Sequence, residues 1–237
     1  MKKTLLSISS VLLINCFLVA QEYKSVTVKA GTRLKDYFTI SQRYLFPDFT
    51  QGKVIFNNRM TVPCLFNFNL ISGEMEFIKS KDTLIITSKK EIDLIVVARD
   101  TFYYHDAYLQ LISSGPVCVY LKRSIAVKNI LKQGAMGTIN RSAASESYNF
   151  AFSGQLSIDL KPVDDMVLQR TDEYLISRPG NDYMQYNKKN ILKMVPGKEG
   201  EIKDFIKSIR VDFESRDDLL KLADFVNSLL TGNRTKK

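Results

Sequence analysis

His105 and Asp106 have the clearest potential for acid–base chemistry, because they place the single histidine of the 237-residue chain beside a carboxylate. A histidine oriented by a carboxylate is the usual proton carrier near neutral pH. Neighbouring side chains in a strand point to opposite faces of a sheet, however, so these two cannot form a hydrogen-bonded pair. We therefore expect His105 to be a strand or turn residue. A single histidine also argues against histidine relays and histidine-rich metal sites.

Four carboxylates cluster near the C-terminus, at Asp212, Glu214, Asp217 and Asp218. They lack the glycine and the terminal glutamate of a calcium loop, so we interpret them as acidic residues at a helix start, where the helix dipole favours negative charge. The sequence has no GxSxG, P-loop, HExxH or CxxC motif, and it assigns no catalytic, cofactor-binding or metal-ligating residue. Paired carboxylates for glycoside hydrolysis can be distant in sequence, so the 25 acidic residues leave that chemistry open.

Aromatic residues form the second group with potential for binding. They could line a surface for sugar or peptide, but with 11% aromatic residues and no tryptophan we favour packing in the core and on a half-buried sheet. The residues concerned are Phe68, Phe102, Tyr103, Tyr104, Tyr108 and Tyr120.

Three cysteines are too few for a disulfide scaffold. Cys64 is in phase with Phe66 and Phe68, whereas Cys118 is in phase with Tyr120. The two residues should therefore face different environments, and we predict no disulfide between them.

The composition is that of an ordinary globular protein, with 45% hydrophobic and 25% charged residues. The formal charge of +9 comes from scattered lysines and short basic doublets, not from a clustered basic face. We therefore expect no nucleic-acid partner. No stretch after the N-terminal segment reaches the roughly 18 apolar residues that a transmembrane span requires.

The N-terminal segment is typical of a secretory signal peptide. Lys2 and Lys3 precede an apolar run over residues 5–14, and the segment ends in Leu18-Val19-Ala20. We predict a signal peptide over residues 1–20 and a mature chain that begins at Gln21. The alternative is a lipoprotein acylated at Cys16. Either outcome places the protein in the periplasm or in association with the outer membrane.

The elements that would position these residues are mostly short strands. Between residues 52 and 122, strand-like runs alternate with turn signals every 8 to 12 residues or so, which is typical of antiparallel architecture. The clearest run has six apolar residues at strict period two: Met60, Val62, Cys64, Phe66, Phe68 and Leu70. Residues 24–29 predict an added strand, and residues 174–177 and 183–186 predict a hairpin.

These patterns predict an α+β protein in which an antiparallel β meander, a curled sheet or a small barrel, fills residues 21–186. Residues 133–147 are rich in Gly, Ala and Ser, and we expect a mobile loop there. Residues 187–237 change to helical periodicity, with apolar stripes at Ile202, Phe205, Ile206 and Ile209 and from Leu219 onwards. Such a unit is too small for a core of its own, so we expect it to dock on the β body.

Several blocks of the sequence resemble a family of uncharacterised exported and envelope proteins of Bacteroidetes-type bacteria. The blocks lie at residues 44–49, 52–54, 66–70, 74–78, 187–193, 196, 201–202, 205–207 and 217–222. The resemblance implies an exported or envelope location and contributes no site residue.

We accordingly expect a non-catalytic exported protein that binds or packs at the cell envelope, with an envelope protein or a glycan as partner. The alternative is a carboxylate-dependent hydrolase that acts on envelope glycan.

Overall fold

A computed structural model describes residues 25–133, 139–143, 159, 161–180 and 182–232. The predicted signal peptide over residues 1–20, Cys16 within it, and the predicted mature N-terminus at Gln21 lie outside the described residues. Within the expected loop at residues 133–147, the structure describes Gln133 and a short strand, Ile139–Ala143. The mobility of that segment stays a prediction.

One antiparallel sheet contains every strand in this part of the chain. The strands are β1 (Ser25–Val28), β2 (Thr50–Phe56), β3 (Thr61–Asn69), β4 (Glu74–Lys79), β5 (Asp82–Ile85), β6 (Ile92–Val97), β7 (Asp100–Tyr104), β8 (Tyr108–Ser113), β9 (Cys118–Gln133), β10 (Ile139–Ala143), β11 (Asp165–Ser177) and β12 (Met184–Gln185). Their spatial order is β1-β11-β9-β8-β7-β6-β2-β3-β4-β5, with β10 beside β9 and β12 beside β11.

This order confirms the predicted antiparallel meander and α+β class. The strand order ends at β1 on one side and β5 on the other, so the sheet is open and the small-barrel alternative is wrong. The added strand predicted at residues 24–29 is β1, which pairs with β11. The predicted hairpin is the pairing of β11 with β12.

The alternation of β3 is real, but its burial differs from the prediction. Phe66 and Phe68 are buried on the expected face, whereas Val62 near the start of the strand is 40% exposed. Asn67 and Asn69, which alternate with these apolar residues and point to the opposite face, are both buried. Because their amide groups hydrogen-bond to the Phe46 backbone and to the Glu76 carboxylate, respectively, they can be buried without losing partners.

Pro63 lies at a local edge of the sheet, as its missing N–H predicts. It pairs with Lys53 of β2, but the pairing of β3 with β4 begins only at Phe66. In the turn between β2 and β3, the residue with positive φ is Arg59, at 68°, and not Asn57 or Asn58, although asparagine tolerates this conformation better. The Asn58 side chain accepts a hydrogen bond from the Met60 backbone and so supports the turn.

The first half of β11 was missed in the sequence. Residues 165–173 carry several charged side chains, and only Met166 and Leu168 are buried there. Both face a cluster that also contains Leu34 and Ile71. Two inward apolar residues among charges give too weak an alternation to predict a strand.

Five α-helices and one 3₁₀ helix (Lys89–Glu91) complete the described chain. The α-helices are α1 (Leu34–Tyr37), α2 (Ile40–Arg43), α3 (Lys188–Met194), α4 (Glu199–Ser208) and α5 (Arg216–Gly232). Ile209, expected in the stripe of α4, instead follows that helix and is 38% exposed. No helix in the described ranges is long and apolar enough to cross a membrane.

The C-terminal helices share one hydrophobic cluster with the sheet. Val119 of β9 and Ile176 of β11 pack with Leu222 and Val226 of α5, and all four are fully buried. Asn227 of α5 adds two hydrogen bonds to the backbone of Val117, at 2.8 and 3.0 Å. The helices therefore cover the end of the sheet where β9 begins and β11 ends.

Candidate functional site

Two concave regions of the surface stand out, one apolar and one polar. The first, the apolar groove, has a volume of about 610 Å³ and lies over β2, β3 and the end of β5. The second, the polar cavity, has a volume of about 410 Å³ and lies between the β3–β4 turn and the middle of β9. Both volumes fall in the range of about 300 to 1,000 Å³ that is typical of small-molecule sites.

The apolar groove arises because β3 extends beyond its partner β4. The pairing of β3 with β4 stops at Phe66, so the edge of β3 before that residue has no paired β4 residue beside it. The walls are apolar and are formed by Val54, Phe56, Val62, Cys64, Phe66 and Phe77. Polar side chains, those of Asn57, Asn58, Ser88 and Glu91, also line the groove at the β2–β3 turn and around the 3₁₀ helix. The groove can therefore hold an apolar body next to a polar group.

The polar cavity brings together charged residues that are far apart in the sequence. Lys89 donates a hydrogen bond to Glu74 at 2.6 Å, and Lys122 donates one to Asp106 at 3.0 Å. Arg123 also lines the cavity, and its guanidinium donates to the side-chain oxygen of Gln110. Three cations and two carboxylates therefore surround one small volume.

Burial changes the titration of these groups in different directions. For Glu74, burial raises the pKa of the carboxyl, although the hydrogen bond and charge of Lys89 oppose this. For Asp106, burial also acts to raise the pKa, but the hydrogen bond and charge of Lys122 outweigh it, and the pKa is lowered. Burial lowers the pKa of Arg123, against the attraction of Asp172.

Several polar atoms at the polar cavity have no hydrogen-bond partner. They are Glu74 Oε2, Ser72 Oγ and Arg123 Nε, all of which are buried. Ser72 and Glu74 are each only 5% exposed as whole residues. Native proteins provide a hydrogen-bond partner for nearly every buried polar atom. Three unpaired atoms at one cavity therefore require an explanation.

His105 and Asp106 have different side-chain partners in the structure, in agreement with the prediction that they do not form a hydrogen-bonded pair. The His105 ring lies 5.3 Å from the Tyr183 ring, centroid to centroid, whereas the Asp106 carboxylate pairs with Lys122. Of the two, only Asp106 lines the polar cavity.

The acidic group near the C-terminus is also in the predicted place. Asp217 and Asp218 lie in the first turn of α5, and Asp218 accepts a hydrogen bond from the backbone of Asp212. The backbone N–H of Asp218 donates to Ser215 Oγ at 3.4 Å, which caps the helix start. Among the residues that the structure describes, no group of His, Cys, Asp or Glu could hold a metal ion.

The aromatic residues of interest divide between two packed clusters. Phe68, Phe102 and Tyr108 belong to the core between β3 and β8, and Tyr103 and Tyr120 belong to a second cluster with Cys118. Core and sheet packing is confirmed for these five. Tyr104 differs, because it also lines the polar cavity.

Cys64 and Cys118 carry free thiols and lie in different clusters, as their phases predicted. Cys64 is partly exposed and lines the apolar groove. Cys118 is only 8% exposed. The two thiols should therefore differ in their access to reagents.

The residues of the polar cavity were not predicted as a site. Ser72 lies in a turn, and Lys89 and Lys122 each belong to a basic doublet that we read as solvated. One signal was available, because Glu74 and Glu76 interrupt an apolar strand at period two. Both glutamates are almost fully buried, at 5% and 4% exposure.

No protein-family model, no curated protein sequence and no solved structure matches this chain.

Proposed function

We propose that this chain is a non-catalytic exported protein of the cell envelope, and that its apolar groove binds an amphiphilic molecule with an apolar body and one polar group. The observation that carries the proposal is the open apolar groove over β2 and β3. Soluble domains usually cover a large apolar depression of this kind, and uncovered ones commonly mark binding sites.

The composition of the groove supports this class of ligand. Apolar and aromatic walls would shield a hydrocarbon body from water, which is favourable in proportion to the area buried. The polar side chains around Asn58 and Ser88 would contact a polar group of the same molecule. An envelope is rich in amphiphilic lipids, so an exported location and this ligand class agree with each other.

Val62→Asp should abolish or strongly weaken binding of the amphiphilic dye 1-anilinonaphthalene-8-sulfonate, which has an apolar ring system and one sulfonate, with an affinity loss of at least tenfold. The new carboxylate would lie in the groove and would make the apolar wall unfavourable for the dye. Val62 is 40% exposed, so the substitution should leave the fold intact. Fluorescence titration of the purified full chain measures the affinity.

Leu65→Asp is the matched control for this experiment. Leu65 lies on the same strand, is also 40% exposed, and points to the opposite face, away from the groove. Its substitution adds the same charge and should change the dye affinity by less than twofold. Equal losses in both variants would mean that the dye binds elsewhere and would contradict the proposal.

Cys64 offers a second measurement on the unmodified protein. Bound dye should slow alkylation of the Cys64 thiol, because the thiol lines the groove. The buried Cys118 should react slowly with or without dye and so serves as an internal reference. Unchanged alkylation of Cys64 at saturating dye would place the dye outside the groove.

Export is the second part of the proposal. The basic start, apolar run and Ala20 at its end support cleavage before Gln21. Mass spectrometry of protein purified from expressing cells should therefore find Gln21 as the N-terminal residue. Acylated Cys16 at the N-terminus would overturn that cleavage site and favour the lipoprotein alternative.

A carboxylate-dependent hydrolase is the second candidate function. The observation that favours it is that Glu74 and Asp106 line the same cavity and have pKa values displaced in opposite directions. Such a difference is typical of an acid and a base in one active site. Each carboxylate already pairs with a lysine, which favours the binding protein instead. Reducing ends released from envelope glycan by the parent chain, but not by Glu74→Gln, would favour the hydrolase.

A further inference from the structure

The polar cavity contains hydrogen-bonding capacity that the chain itself does not use. Glu74 Oε2 is an unused acceptor, and Ser72 Oγ is both an unused donor and an unused acceptor. Their residues are more than nine-tenths buried, so these atoms have lost bulk water without gaining a protein partner. A buried polar atom without a partner destabilises a fold, so its presence at a cavity indicates a partner from outside the chain, either an ordered water or a ligand.

An unused donor lies in the same cavity. Arg123 Nε is buried and has no partner, although the terminal nitrogen of the same guanidinium donates to Gln110. The neighbouring cations are already engaged, because Lys89 binds Glu74 and Lys122 binds Asp106. The cavity therefore offers a ligand one charged acceptor, one charged donor and one hydroxyl.

This combination restricts the chemistry of the ligand. A simple anion would satisfy Arg123 but would meet the carboxylates of Glu74 and Asp106 in a poorly solvated space. A simple cation would be attracted by the carboxylate of Glu74 but repelled by the two lysines and Arg123. A ligand whose groups each donate and accept hydrogen bonds satisfies both sides at once, and sugar hydroxyls have this property.

We propose that the polar cavity is a binding site for a saccharide unit, whose hydroxyl groups donate to Glu74 and accept from Arg123, with Ser72 as a third contact. A volume of about 410 Å³ accommodates a ligand at the smaller end of the usual range. This site is separate from the apolar groove and shares no lining residue with it.

Saturation-transfer NMR of the full chain with D-glucose, D-galactose, D-mannose and N-acetyl-D-glucosamine tests the proposal. At least one of the four sugars should receive saturation from the protein. In the Ser72→Ala variant, the affinity for that sugar should fall about fivefold to tenfold, the usual effect of one lost hydrogen bond. The melting temperature without sugar should not fall, because Ser72 Oγ has no partner in the chain to lose.

Ser208→Ala is the matched control, because Ser208 is an exposed serine of α4 that bonds only to the backbone of its own helix. It should leave sugar binding unchanged. The absence of saturation transfer to all four sugars would overturn the proposal. So would binding that Ser72→Ala leaves unaltered, or a preference for zwitterionic amino acids such as glycine or glutamate over the sugars.

Discussion

Val226→Asp should lower the melting temperature of the entire protein in a single transition, by about 10 °C or more. Val226 is fully buried in the cluster between α5 and the sheet. A carboxylate placed there would be unpaired and shielded from water, a change expected to destabilise the fold by about 4 kcal/mol or more. Thermal unfolding followed in parallel by far-UV and near-UV circular dichroism measures the effect on helices and sheet.

Val163→Asp is the matched control, because it makes the same substitution at an exposed position, where we expect little effect on stability. Val163 is 89% exposed, so its carboxylate would remain in water and the free energy of unfolding should change by less than about 0.5 kcal/mol. Docking would be contradicted if Val226→Asp removed the helical signal and left the melting of the sheet unchanged. The helices would then form a separate unit.

The residues around Val226 illustrate what the sequence could predict. The apolar stripe of α5 has a period that only a helix satisfies, and Leu219, Leu222, Ala223 and Val226 are all buried as expected. The turns between β3 and β8 were likewise marked by glycines and by polar runs. Helix periodicity and turn formation depend on residues that are close together in the chain. Both can therefore be predicted from a single sequence.

The concave surfaces could not be predicted in the same way. The face of β3 shows one unbroken alternation, and nothing in it distinguishes the open Val62 from the buried Phe68. That difference depends on where β4 stops pairing, which is a property of a neighbouring strand. The polar cavity depends on contacts over a longer range, because Glu74 of β4 and Arg123 of β9 line one cavity although five strands lie between β4 and β9 in the sheet.

The importance of Gly52 could not be predicted from the sequence for the same reason, because the constraint on this residue comes from two neighbouring strands of the sheet. Gly52 lies in β2 and pairs with Cys64 on one side and with Val97 on the other. A Cβ atom at this position would lie 2.4 Å from the backbone oxygen of Val96 and 2.9 Å from the ring of Phe66. The backbone of β6 is held by pairing to both β2 and β7, so it cannot easily move away.

Gly52→Ala should therefore destabilise the protein by about 3 kcal/mol, a large effect for the addition of one methyl group. The matched control is Gly200→Ala in α4, where a Cβ atom meets nothing within 4 Å. Because alanine favours helix more than glycine does, the control should leave stability unchanged or increase it by up to about 1 kcal/mol. Chemical denaturation of both variants measures the two free energies. Equal stabilities would mean that β2 and β6 can separate at Gly52, and the close approach of the two strands would then not be a constraint on the fold.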